Sequence, residues 1–97
     1  MPTYQLLPRF LRDQKALTKR DADAFRRAVE LFVAGLRSGA FDPRLRVKRV
    51  ERTADVWEMS WASDERATFQ YGPEVVPGEP HIIWRRVGDH SVLDRNP

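Results

Sequence analysis

An α+β domain is the fold class that this 97-residue sequence predicts. A stretch of helical apolar period fills residues 22–36, and from Trp57 onward the pattern changes to alternation of apolar and polar residues. Helical signals come first and strand signals afterwards, which is the order of a helical layer packed on a sheet. The expected architecture is a short N-terminal strand and a helical hairpin on one face of a mainly antiparallel sheet of four to five strands, with residues 1–97 as a single domain.

Each element has its own residues. Tyr4 to Leu7 reads as the short first strand, and Pro8 suits the first turn of a helix whose apolar side carries Phe10, Leu11 and Leu17. Thr18 with Asp21 resembles a capping arrangement. Ala22, Phe25, Val29, Phe32, Val33 and Leu36 then define one face of a long helix, with Gly39 as its stop. Leu45 and Val47, then Trp57, Met59 and Trp61, then Ala67, Phe69 and Tyr71 alternate with polar neighbours as strands do. Ser63-Asp64-Glu65 is the expected turn between two of these strands. Residues 73–80, with Pro73, Pro77 and Pro80, form a loop. His81 to Val87 is the last strand, ended by Gly88.

Composition narrows the function. Cysteine is absent, so disulfides and cysteine-based zinc sites are excluded. His81 and His90 do not by themselves make a metal site, and neither a metal nor a cofactor is expected. No apolar run approaches a membrane span and no signal segment opens the chain, so no membrane role and a cytoplasmic location are expected. Net charge is only +3. The cations are concentrated, however: Arg44, Arg46, Lys48, Arg49 and Arg52 share one strip with a single acid, Glu51. Such a strip suits a polyanionic partner; the plainer account is a solvated, arginine-rich surface.

Alternation puts Trp57, Met59 and Trp61 on one face of their strand and Glu58 and Ser60 on the other. The large apolar set should meet the helices, although a tryptophan-lined face can also serve as a stacking platform for bases. Glu58 and Ser60 are then expected on the open face. Ile82, Ile83 and Trp84 in succession suggest a strand covered on both sides.

Three motifs, in order, resemble the RelE/ParE toxin superfamily. Leu45-Arg46-Val47-Lys48-Arg49-Val50 is similar to the basic strand after the helical hairpin. Trp57-Glu58-Met59 followed by Arg66-Ala67-Thr68-Phe69 resembles the aromatic-Glu-apolar and Arg-x-x-aromatic strands. Val87-Gly88-Asp89-His90-Ser91-Val92-Leu93 is similar to the closing Gly-x-His turn of ribonuclease members. The resemblance implies the toxin of a type II toxin–antitoxin system, an endoribonuclease that cleaves mRNA on the ribosome by 2′-hydroxyl attack, without metal. It also implies a cognate acidic antitoxin protein as partner, in a toxin–antitoxin hetero-oligomer. Where several members carry a second basic residue or a histidine, this chain has Ser60, and it lacks the aromatic that some carry after the closing turn.

Such a reaction needs a base for the 2′-hydroxyl, a cation for the charge on phosphorus and an acid for the leaving oxygen. Arg66 occupies the position of the family's phosphate-binding arginine, where a guanidinium can grip phosphate with two donors; its plainer role is a salt bridge to Asp64 or Glu65. His90 is the candidate proton donor, or else a side chain that caps the terminal turn. Glu58 and Asp64 are the candidate bases; the commoner fate of Glu58 would be a salt bridge to Arg46, Lys48 or Arg86. Arg46, Lys48, Arg49, Arg85 and Arg86 are candidate RNA-binding residues, giving affinity without sequence readout. His81, where loop meets strand, reads as structural. Two alternatives stand beside the nuclease: a ParE-like gyrase inhibitor that cuts nothing, and an inactive RNA- or ribosome-binding module of the same fold.

Overall fold

The first helix begins at a proline and the second at a threonine, for different physical reasons. The computed structural model describes residues 1–97. In it β1 spans Thr3–Leu6, α1 Pro8–Lys15 and α2 Lys19–Ser38. Proline fits the first helical position because no partner exists there for an amide hydrogen. Thr18 precedes α2, and its hydroxyl accepts the Asp21 amide at 3.1 Å. Gly39 closes α2 with φ 85°, a left-handed conformation that costs glycine little.

The buried line of α2 is Phe25, Ala28, Phe32 and Gly35, flanked by the partly buried Val29 and Leu36. Gly35 permits a close return of the chain, since a Cβ there would lie 2.6 Å from Phe41 Cδ1. Phe41 stacks on Phe32 with ring centroids 5.1 Å apart. A 3-10 turn, Pro43–Leu45, follows. On α1 only Phe10 is buried; Leu11, expected on the apolar side, is 43% exposed.

Strands β2 (Lys48–Arg49), β3 (Trp57–Ala62), β4 (Glu65–Gly72) and β5 (His81–Asp89) complete a five-stranded sheet of order β1-β5-β4-β3-β2. β1 runs parallel to β5, and every other neighbour pair is antiparallel. The basic strand expected over Leu45–Val50 shrinks to two residues. Leu45 belongs to the 3-10 turn, and Arg46 follows it in the left-handed region at φ 49°. β5 runs past Gly88, which pairs with Arg66 inside the sheet and does not end the strand.

The tryptophans settle which face is the core. Trp84 meets Phe10, Phe25, Phe32 and Phe69 with centroids 5.2–6.1 Å apart, and Trp61 lies edge-on to Phe25 at 5.8 Å. Pairs of this kind add about 0.5–1.5 kcal/mol each beyond the area they bury. These two tryptophans are therefore packing residues, not a stacking platform. Trp57 sits at the margin, edge-on to Tyr71.

The opposite face is less open than alternation suggests. A second 3-10 turn, His90–Leu93, packs against β4 and β5 with Val92 buried. Glu58 and Thr68, which lie opposite each other across β3 and β4, are both buried on that face. No helix is long and apolar enough to cross a membrane.

Candidate active site

The β3–β4 turn and the end of β5 meet because Glu65 pairs with Asp89 and Arg66 with Gly88. That register delivers Asp64 and His90 to the same spot. The His90 amide donates to the Asp64 carbonyl at 3.0 Å. The His90 Nδ1 lies 3.0 Å from Asp64 Oδ1, with the side chains 61% and 70% exposed, so both are accessible to a substrate. Asp89 stiffens the turn by accepting the Ser91 amide at 2.9 Å, and its bonds with the Ser91 hydroxyl and amide hold its carboxyl below the usual range.

Deeper in, Arg66 Nη1 donates to the carbonyl of Glu65 at 2.9 Å and to that of Ser63 at 3.4 Å. Its Nε lies 3.8 Å from Glu58 Oε1, with both side chains largely covered. The Trp61 indole donates to the Arg66 carbonyl at 3.0 Å, which fixes the backbone that carries the guanidinium. Glu58 thus pairs with Arg66 and not with Arg46, Lys48 or Arg86. Arg66 faces Glu58 and not the expected Asp64 or Glu65 carboxylates.

These groups open into one cleft of about 780 Å³. Lys48, Arg49 and Arg52 line one side; Asp64 and His90 line the other, together with Leu93, Asp94 and Pro97 from the C-terminal tail. Lys48, Arg49 and Arg52 form no ion pair. Arg52 sits at φ 67° in the β2–β3 turn, which Thr53 braces by donating its hydroxyl to the Val50 and Val56 carbonyls at 2.7 and 3.2 Å. No group of three or more His, Asp or Glu residues is placed to hold a metal ion.

Of the sequence candidates, Glu58, Asp64, Arg66, His90, Lys48 and Arg49 come together here. Arg46, Arg85 and Arg86 do not. Arg46 turns away in its left-handed conformation and lines a groove between α2 and β3 with Arg27 and Ser60. Arg86 is held by Asp13 of α1, with Nε 2.6 Å from Oδ2. The same carboxylate accepts the Val87 amide at 3.2 Å, replacing β1 where that strand has ended. Arg85 donates to Gln70 Oε1 and to the Pro97 carbonyl, each at 2.7 Å. His81 is structural: its Nδ1 lies 2.7 Å from Thr3 Oγ1 and its Nε2 lies 3.1 Å from Gln5 Oε1. Arg52 and the tail residues were not among the residues expected to form the site. Arg52 lies in the basic strip and Leu93 in the closing-turn motif, whereas nothing local marks Pro97.

No protein-family model and no curated protein matches the chain. Solved structures do. A YoeB/ParE toxin from Agrobacterium tumefaciens superposes with a TM-score of 0.67 at 12% identity, over 91% of this chain and 98% of that one. A copper-bound mutant toxin from Helicobacter pylori gives 0.62 at 16% identity, over 96% and 99% of the two chains. At such identities the shared property is the fold. The helix pair on a five-stranded sheet described above is the fold of YoeB/ParE-type toxins, as the sequence motifs suggested.

Proposed function

We propose that this protein is the toxin of a type II toxin–antitoxin pair and a metal-independent endoribonuclease acting on mRNA on the ribosome. The observation that carries the reading is the meeting of Glu58, Arg66, Asp64 and His90 in one cleft beside three cations without ion-pair partners. The toxins that share the fold support the toxin part, and with it an acidic antitoxin partner and a cytoplasmic site of action.

Glu58 takes the proton of the RNA 2′-hydroxyl. The freed oxygen attacks the adjacent phosphorus, and the bond to the 5′-oxygen breaks as the new oxygen–phosphorus bond forms. His90 gives a proton to the departing 5′-oxygen, leaving a 2′,3′-cyclic phosphate. Arg66 faces the charge that builds on the phosphoryl oxygens. Asp64 is less suited to be the base, because its carboxylate oxygen is turned to His90 Nδ1. It orients the ring and balances the imidazolium charge. Lys48, Arg49 and Arg52 hold flanking phosphates, which adds affinity without sequence preference.

Inducible expression of the wild type, Arg66→Ala and His90→Ala, with growth and transcript 5′ ends followed, tests this. Growth arrest with new codon-phased ends, abolished by both substitutions, is expected. Arrest with DNA damage and intact transcripts would instead establish the gyrase-directed reading, and no arrest would leave an inert binding module.

A further inference from the structure

The two sides of the cleft come from distant parts of the chain, and a line of polar contacts across the sheet joins them. Asp55, in the connection between β2 and β3, accepts from Gln70 Nε2 at 2.8 Å. The Gln70 Oε1 accepts from Arg85 Nη1 at 2.7 Å, and Arg85 Nε donates to the Pro97 carbonyl at 2.7 Å. One end of this line is anchored beside the cationic side of the cleft, and the other end is the tail that forms the opposite side.

Arg85 reaches this position because of a bulge. Thr68 pairs with Arg86, but the next residue, Phe69, pairs with Trp84, so Arg85 has no partner in the ladder. The extra residue lets both Trp84 and Val87 face the helices and frees the arginine between them. Bulges re-aim side chains in this way beside functional sites. Arg9 of α1 adds a second hold on the tail through the Asn96 carbonyl.

We infer that Arg85 is a positioning residue that holds the tail against the sheet, fixing the cleft at a width that admits one RNA strand and not a duplex. The inference rests on the proposed RNA substrate. It assigns Arg85 a role through the tail and not through phosphate contact. A volume of about 780 Å³ suits a few unpaired nucleotides, whose bases can splay apart, and is too small to take in the paired strands of an RNA helix. A guanidinium suits the place because two of its nitrogens, Nε and Nη1, reach the Pro97 and Gln70 oxygens in fixed geometry, whereas an ammonium would have to bring one nitrogen to both.

The test uses the full chain and a labelled single-stranded 2′-O-methyl RNA oligomer, which cannot be cleaved by 2′-hydroxyl attack, with an RNA hairpin as competitor. Binding and hydrogen exchange of residues 91–97 are measured for the wild type, Arg85→Ala, Arg85→Lys and Gln70→Leu. The wild type should bind the strand in preference to the hairpin. All three variants should lose protection in the tail and weaken strand binding, by about tenfold for Arg85→Ala. Cleavage assays should show a raised KM with kcat little changed. If Arg85→Ala does not fold, the lysine variant decides. Retained binding in Arg85→Lys and Gln70→Leu would show a simple phosphate contact and overturn the inference. So would unchanged tail protection, or a wild type that ignores the strand. A wild type that binds the strand selectively without cleaving RNA would sink the nuclease reading and leave this one standing.

Discussion

Asp64 holds His90 at two points, the carboxylate oxygen 3.0 Å from the ring Nδ1 and the carbonyl oxygen 3.0 Å from the amide nitrogen. The backbone contact survives any side-chain change at position 64, so Asp64→Asn isolates the role of the charge. Asn keeps a hydrogen-bonding group near Nδ1 but gives no counter-charge to an imidazolium. Both side chains are exposed, so water screens the pair and the loss should be modest. Single-turnover cleavage should fall about tenfold in Asp64→Asn and roughly 100-fold or more in His90→Ala. Equal losses in the two variants would mean that the carboxylate itself transfers a proton.

The Arg66–Glu58 pair makes a different prediction because both side chains are largely covered. Removing the guanidinium leaves a buried carboxylate without its cation. Arg66→Ala should therefore lose both activity and stability, the latter by about 1–3 kcal/mol in denaturant unfolding. Adding Glu58→Gln should restore much of the stability and none of the cleavage. Additive stability losses would show that the two residues do not interact.

What the sequence revealed was what is coded locally. Thr18, Gly39 and the stripe through Phe25 and Phe32 are readable because capping and helical period involve near neighbours. The grouping of Glu58, Arg66 and His90 was approachable through motifs on adjacent strands. Other features depend on long-range register. β1 pairs with β5 although Thr3 and His81 are 78 positions apart, and nothing in Tyr4–Leu7 announces its partner. Arg85 and Arg86 look alike in the sequence, but a bulge sends one to Gln70 and leaves the other to Asp13. Burial of Glu58 depends on neighbours from other segments, Lys48 and Thr68 across the sheet and Arg66 beside it, which the alternation of its own strand does not announce.

Glu65 links pH to stability. Burial raises its carboxyl pKa first, and the nearby Asp21, Asp89 and Asp64 raise it further, against a smaller opposing effect of Arg66. A folded-state pKa above the unfolded value means that the protonated form favours folding. The contribution is fully present below the unfolded pKa and is lost as pH rises through the folded one. Glu65→Gln should therefore raise the melting temperature by a few degrees at pH 7, with the gain shrinking towards zero below the ordinary glutamate range. A variant less stable than wild type at pH 7 would contradict this.

Thr68 offers a test on the buried side of the cleft. Its side chain is fully buried between Glu58 and Arg86 in register, yet its hydroxyl has no hydrogen-bond partner. Thr68→Val keeps the shape and the β-branched preference for a strand while removing that hydroxyl. The substitution should stabilise the fold by about 1 kcal/mol, read as a raised urea midpoint at unchanged slope, without changing cleavage. Destabilisation would mean that the hydroxyl is satisfied in solution by a bond that valine cannot make.

Gly35 gives the sharpest steric prediction, because two effects of known sign oppose each other. Alanine in mid-helix gains about 1 kcal/mol over glycine from backbone entropy. Here the added Cβ would lie 2.6 Å from the Phe41 ring and 3.0 Å from its Cα, so both ring and backbone would have to move. Phe41 cannot retreat without losing its stack on Phe32, which is itself nearly fully buried. Overpacking of this kind costs about 1–3 kcal/mol, so the clash should outweigh the propensity gain. Gly35→Ala should then lower stability and weaken the attachment of the chain after α2, seen as faster hydrogen exchange through Phe41–Leu45. A rise in melting temperature would show that the chain beyond Gly39 yields more easily than its packing implies.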